Sequence, residues 1–96
     1  MIKQIGKVLE DVRALVSEGS IEKNYEKVGT EFLSRLNEQF YTYACLCTYA
    51  VVNDMEYEQA NKLYKEYVYE KNYGSWDSVK KYFLTGKSEY LNRPVE

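Results

Sequence analysis

Apolar side chains recur at steps of three and four along almost the whole chain, and no run alternates with the period of two that a half-buried strand requires. That periodicity predicts an all-α fold. Ile2, Ile5, Val8, Leu9, Val12, Leu15 and Val16 share one face of a first helix whose other face carries Lys3, Lys7, Glu10, Asp11 and Arg13. Gly19 suits the left-handed position after that helix, and Ser20 is placed to cap the next. From Ile21 the series continues through Tyr25, Val28, Phe32, Leu36, Phe40, Tyr43, Cys47 and Val51 without losing phase. It fits one long helix to about Val52 or two collinear pieces hinged at Gly29 and Thr30. Glycine costs about 1 kcal/mol inside a helix and Thr30 is a ready cap, so the break is the favoured reading.

Between Phe40 and Val52 the apolar residues spread around most of the circumference, which marks a central helix enclosed by other helices or by a second subunit. Asn53 and Glu56 have the spacing of a capping box for a following helix, whose inner stripe is Tyr57, Ala60, Leu63, Tyr64, Tyr67 and Val68. Gly74 and Ser75 then end one helix and cap a last one carrying Trp76, Val79, Tyr82 and Phe83, which Gly86 closes. The expectation is a single domain over residues 1–96, a small bundle of four to five helices at about 2–17, 21–29, 30–53, 56–72 and 75–85. Tyr90 and Leu91 are placed to tuck back as an anchor.

The chemistry such a bundle can carry is restricted by what it lacks. The chain has no histidine, so general acid–base catalysis near neutral pH would fall on shifted carboxylates or lysines, and no grouping of these suggests one. Asp54, Glu56 and Glu58 sit at a helix start, where carboxylates complement the dipole, and the glycine of a calcium loop is missing. Cys45 and Cys47 are two residues apart, which on a helix splays the sulfurs, so they read as small core fillers rather than a disulfide or a metal pair. A non-enzymatic protein with no cofactor and no metal is expected. No stretch approaches the ~18 continuous apolar residues of a membrane span, and the opening residues lack the pattern of a secretory signal. With reduced thiols, that predicts a cytoplasmic protein with no membrane partner.

Eleven of the 96 residues are tyrosine, and this surplus is the strongest functional signal. Tyrosine combines a large apolar ring with one hydroxyl, which suits contact surfaces. Tyr41, Tyr49, Tyr69, Tyr73 and Tyr90 do not all fit the inner stripes and are the candidate partner-binding residues. A second reading takes the last two helices as a helix-turn-helix outline with a basic end of Lys80, Lys81, Lys87 and Arg93, used by a small dimeric DNA- or RNA-binding regulator. Five acids against three bases in residues 54–73 oppose that, as does the net charge of −2. The first helix adds a possible homodimer seam, Ile5, Leu9, Val12 and Val16.

In its tyrosine-, lysine- and glutamate-rich composition the chain resembles the short orphan proteins of phages and mobile elements, among them anti-CRISPR and other anti-defence inhibitors. The resemblance involves no motif and implies no particular residues. It implies a protein that docks on, and inhibits, a larger protein or nucleoprotein complex.

Overall fold

The computed structural model describes residues 2–92, and among them it is all-helical. Five α-helices follow in order: α1 Lys3–Ser17, α2 Tyr25–Arg35, α3 Tyr41–Val52, α4 Tyr57–Lys65 and α5 Trp76–Thr85. Short 3-10 turns at Glu38–Phe40 and Ser88–Tyr90 and a π turn at Glu66–Glu70 complete the chain.

Every residue of α3 from Ala44 to Val51 is buried. Its apolar circumference serves two cores at once. Ala44, Cys47 and Val51 face Ile5, Leu9 and Val12 of α1 and Val28 and Phe32 of α2. Cys45, Leu46, Tyr49 and Ala50 face Ala60 and Tyr64 of α4, Val79 and Phe83 of α5, and Leu91. The spacing within each set is three or four, so the two sets occupy different sides of one helix. Burial of each large side chain, Phe32 and Phe83 among them, stabilises the fold by about 1.5–3 kcal/mol. Thr48 is the buried polar residue on this helix, and its Oγ1 donates to the Ala44 carbonyl at 2.7 Å, which satisfies the hydroxyl locally.

The neighbours that enclose α3 therefore come from its own chain. The same holds for the seam proposed on α1: Ile5, Leu9 and Val12 are buried against α2 and α3. Neither segment is left bare to motivate a dimer. Polar links fix α1 and α2 to the connection after α3. Arg13 donates to the Met55 carbonyl and lies 3.7 Å from the Glu56 carboxylate, Lys23 pairs with Asp54, and Asn53 Nδ2 donates to the Tyr25 hydroxyl at 3.1 Å.

The chain breaks where the periodicity did not indicate. Gly29 lies inside α2, and the interruption falls at Leu36 and Asn37, both with extended backbone. The apolar phase persists across it because Leu36 and Phe40 pack on the N-terminal core from the connecting turn. Gly29 marks a close crossing instead: a Cβ there would lie 3.1 Å from Leu84 Cδ1 and 3.4 Å from the Leu84 carbonyl, where the end of α5 passes over α2. The start of α2 also differs, since Asn24 rather than Ser20 caps it, accepting from the Lys27 N–H at 2.8 Å. At α4 the cap pair is Glu56 with Gln59, whose side chain accepts from the Glu56 N–H at 2.9 Å, and not Asn53 with Glu56. Ser75 caps α5 as expected, accepting from the Ser78 N–H at 3.2 Å. Gly86, with φ +69°, ends α5 and lies so close under Tyr25 that a Cβ would be 2.5 Å from that ring.

The crossing at Gly29 yields a direct test. Gly29→Leu should lower the urea-unfolding free energy by about 2 kcal/mol through overpacking. Gly29→Ala should be close to neutral, because the gain in helix propensity offsets the tight approach of Leu84.

Candidate functional site

The tyrosines concentrate around one hub. Phe83 is fully buried, with Tyr49 stacked on it at 4.0 Å and 20°, and with Tyr64, Tyr67 and Tyr82 at 5.8, 5.6 and 5.8 Å between ring centroids. Tilted and edge-on pairs of this kind add about 0.5–1.5 kcal/mol each beyond their buried area. The Tyr64 hydroxyl donates to the Trp76 carbonyl at 3.2 Å. A separate group, Phe40, Tyr43 and Tyr57, extends toward the N-terminal core.

The outer edge of this aromatic cluster is shaped by the π turn that prolongs α4. Lys71 N–H bonds to the Glu66 carbonyl at 2.8 Å and Tyr73 N–H to the Tyr67 carbonyl at 2.8 Å, so the last turn holds more residues than an α-helix would. Asn72, at φ +55°, terminates it in the left-handed conformation that asparagine tolerates. In consequence Tyr67 packs inward, edge-on to Phe83 at 90°, while Tyr69 is presented outward and is 69% exposed. Tyr69 meets the Trp76 ring at 5.0 Å and 86°, and Trp76 in turn meets Tyr64 at 4.8 Å. Asp77 follows at the start of α5, with its side chain 87% exposed.

The five tyrosines singled out from the sequence separate clearly. Tyr69 is the exposed one. Tyr73 is half-buried, edge-on to Tyr67 at 5.0 Å. Tyr41 is half-buried against the core around Phe83, and Tyr90 is half-buried beside Lys81 of α5. Tyr49 is a correction. It is 8% exposed and belongs to the core, because its ring stacks on Phe83 and packs against Tyr82. Sequence reasoning missed Trp76 and Asp77 as parts of this surface. The available signal was their position directly after the Ser75 cap, where the first turn of a helix stands partly clear of the core.

The basic end is less open than its residues suggested. Lys80 lies 3.5 Å from Asp77 and Lys81 sits over the Tyr90 ring at 5.9 Å. Lys87 is exposed at the rim of an open groove of about 260 Å³ whose floor includes Tyr25, Leu33 and Leu84. Arg93 lies outside the described residues. The two cysteines are fully buried on different sides of α3, in different cores. Burial pushes the Cys45 thiol up to about 11 and the Cys47 thiol up to about 12. Such thiols are packing atoms, not nucleophiles. Among the described residues no helix is long and apolar enough to cross a membrane.

Burial also raises the tyrosine hydroxyls. Tyr41 is pushed up to about 12, chiefly by burial and then by Cys45, and burial likewise moves Tyr49, Tyr57 and Tyr64 well above the usual range. Each of these groups holds its proton more firmly in the folded state than in the unfolded chain. Their contribution to stability is therefore complete below the unfolded values, near 9 for the thiols and 10 for the phenols, and is lost as pH rises through the folded values. Urea unfolding should show stability falling from about pH 9 and continuing to fall through pH 12. A flat profile across that range would contradict the burial of these groups.

No family model, no curated protein and no solved structure matches the chain.

Proposed function

We propose that the chain is a non-enzymatic binding protein that docks on a larger protein or nucleoprotein complex through the tyrosine-rich surface at the π turn and the start of α5, and that docking inhibits the target. The carrying observation is Tyr69, an aromatic ring 69% exposed and braced edge-on by Trp76. A large ring held rigidly at the surface offers apolar area with little ordering cost on contact, which is the character of binding hot spots. Around it Glu66, Glu70 and Asp77 alternate with Lys65, Lys71 and Lys80. Such mixed charge suits a protein surface better than a phosphate backbone.

The nucleic-acid alternative has less support, since the basic end carries an acid of its own, Asp77 3.5 Å from Lys80, and Lys81 lies over the Tyr90 ring. Self-association is not needed to complete the core. A cytoplasmic setting fits the two buried free thiols. The inhibitory role, in the manner of a phage or mobile-element anti-defence protein, rests on the compositional resemblance.

Affinity capture with paired variants tests the reading. Tyr69→Ala should leave the unfolding free energy within about 0.5 kcal/mol of the parent while weakening capture of the partner by about 2 kcal/mol, roughly thirtyfold. Tyr49→Ala should instead cost about 3 kcal/mol of stability. A partner retained equally by the parent and Tyr69→Ala would overturn the assignment.

A further inference from the structure

The rings at the surface are not all in the same condition. Lys71 Nζ lies 6.0 Å from the centroid of Tyr73, and Lys81 Nζ lies 5.9 Å from that of Tyr90. Both half-buried tyrosines thus already carry a cation of their own chain. Tyr69 and Trp76 differ. Among the described residues no lysine or arginine lies over either ring, although Tyr69 is the one exposed aromatic side chain there.

The geometry of that pair is a corner. The two rings stand at 86° with centroids 5.0 Å apart, so a flat group laid on one ring meets the edge or face of the other. Beside the corner is a carboxylate. Asp77 follows Trp76 directly in the first turn of α5, and its side chain is 87% exposed. Asp77 already shows that it accepts a cation there: Lys80 Nζ is 3.5 Å from its Oδ1. That contact is long and the carboxylate is 87% exposed, so it remains open to a better-placed donor. Glu66 and Glu70 bracket Tyr69 on the same turn, with Lys65 just before it as the opposing charge.

We propose that this corner receives an arginine side chain of the docking partner, with the guanidinium lying against Tyr69 and Trp76 and donating to Asp77. The proposal rests on the docking surface argued above and names the chemistry it recognises. A guanidinium is favoured over an ammonium because it is planar and weakly hydrated, stacks on aromatic faces, and still presents a fork of donors to a carboxylate.

Trp76 is the chain's single tryptophan, so its emission reports the corner directly. The probe is acetyl-Gly-Arg-Gly-amide titrated into the intact chain, with the citrulline and lysine analogues alongside. A saturable change in Trp76 emission is expected, at least fivefold weaker for either analogue and at least fivefold weaker in Tyr69→Ala and Asp77→Asn, both with unchanged far-UV circular dichroism. No saturable change with the arginine peptide overturns the proposal. So does a citrulline peptide that binds as tightly, which would place shape rather than charge in control, or a lysine peptide that binds as tightly. The two readings fail separately. A captured partner lost by Tyr69→Ala but indifferent to Asp77→Asn and to competing arginine peptide removes the arginine and leaves the docking surface, whereas indifference to Tyr69→Ala removes the docking surface.

Discussion

The fold depends on α3 being buried on every side. A helix of ordinary amphipathic character would serve one core, but Ala44, Cys47 and Val51 on one side and Cys45, Leu46, Tyr49 and Ala50 on the other let a single rod join two. The small residues at 44, 45, 47 and 50 matter as much as the large ones. They let α2, α4 and α5 approach closely enough to bury Phe32 and Phe83 completely. The polar cost of the arrangement is confined to Thr48, whose hydroxyl is returned to its own helix.

The second core explains the tyrosine bias. A small chain has few positions that are wholly dry, and its remaining large side chains must tolerate one wet end. Around Phe83 the rings of Tyr49, Tyr64, Tyr67 and Tyr82 fill volume, and the Tyr64 hydroxyl bonds to the Trp76 carbonyl. Most of the aromatic surplus is thus structural. What remains outside is narrow, a ring at 69 braced by an indole, with an acid beside it.

Much of the architecture was legible from spacing. The first and fifth helices fall close to their expected limits, as does the fourth once the π turn to Glu70 is counted with it, and the enclosed character of the third follows from its composition. The break between α2 and α3 was not legible, because periodicity records which side of a rod faces inward and is silent on where the rod turns. Leu36 and Phe40 keep the inward phase even from a non-helical connection. Gly29 misled for a related reason: a glycine inside a helix signals either a hinge or a close crossing, and only the position of Leu84 distinguishes them. Within the candidate site Tyr69 could be read as lying off the inner stripe, while Tyr49 could not be placed, since an all-round apolar helix has no outer side by which to judge. Trp76 and Asp77 needed the third dimension, and the π turn left no trace in residue types that all suit an α-helix.

That wide turn separates what the molecule displays from what holds it together. The packing residues before and after it, Tyr64 on one hand and the capped start of α5 on the other, lie outside the stretch of backbone that carries Tyr69 outward. A relative one residue shorter between positions 66 and 70 would close into regular helix and turn the side chains at 67 and 69 to new directions. The length of the backbone between α4 and α5 thus sets which rings reach the surface, while the α3 cores are built from residues elsewhere.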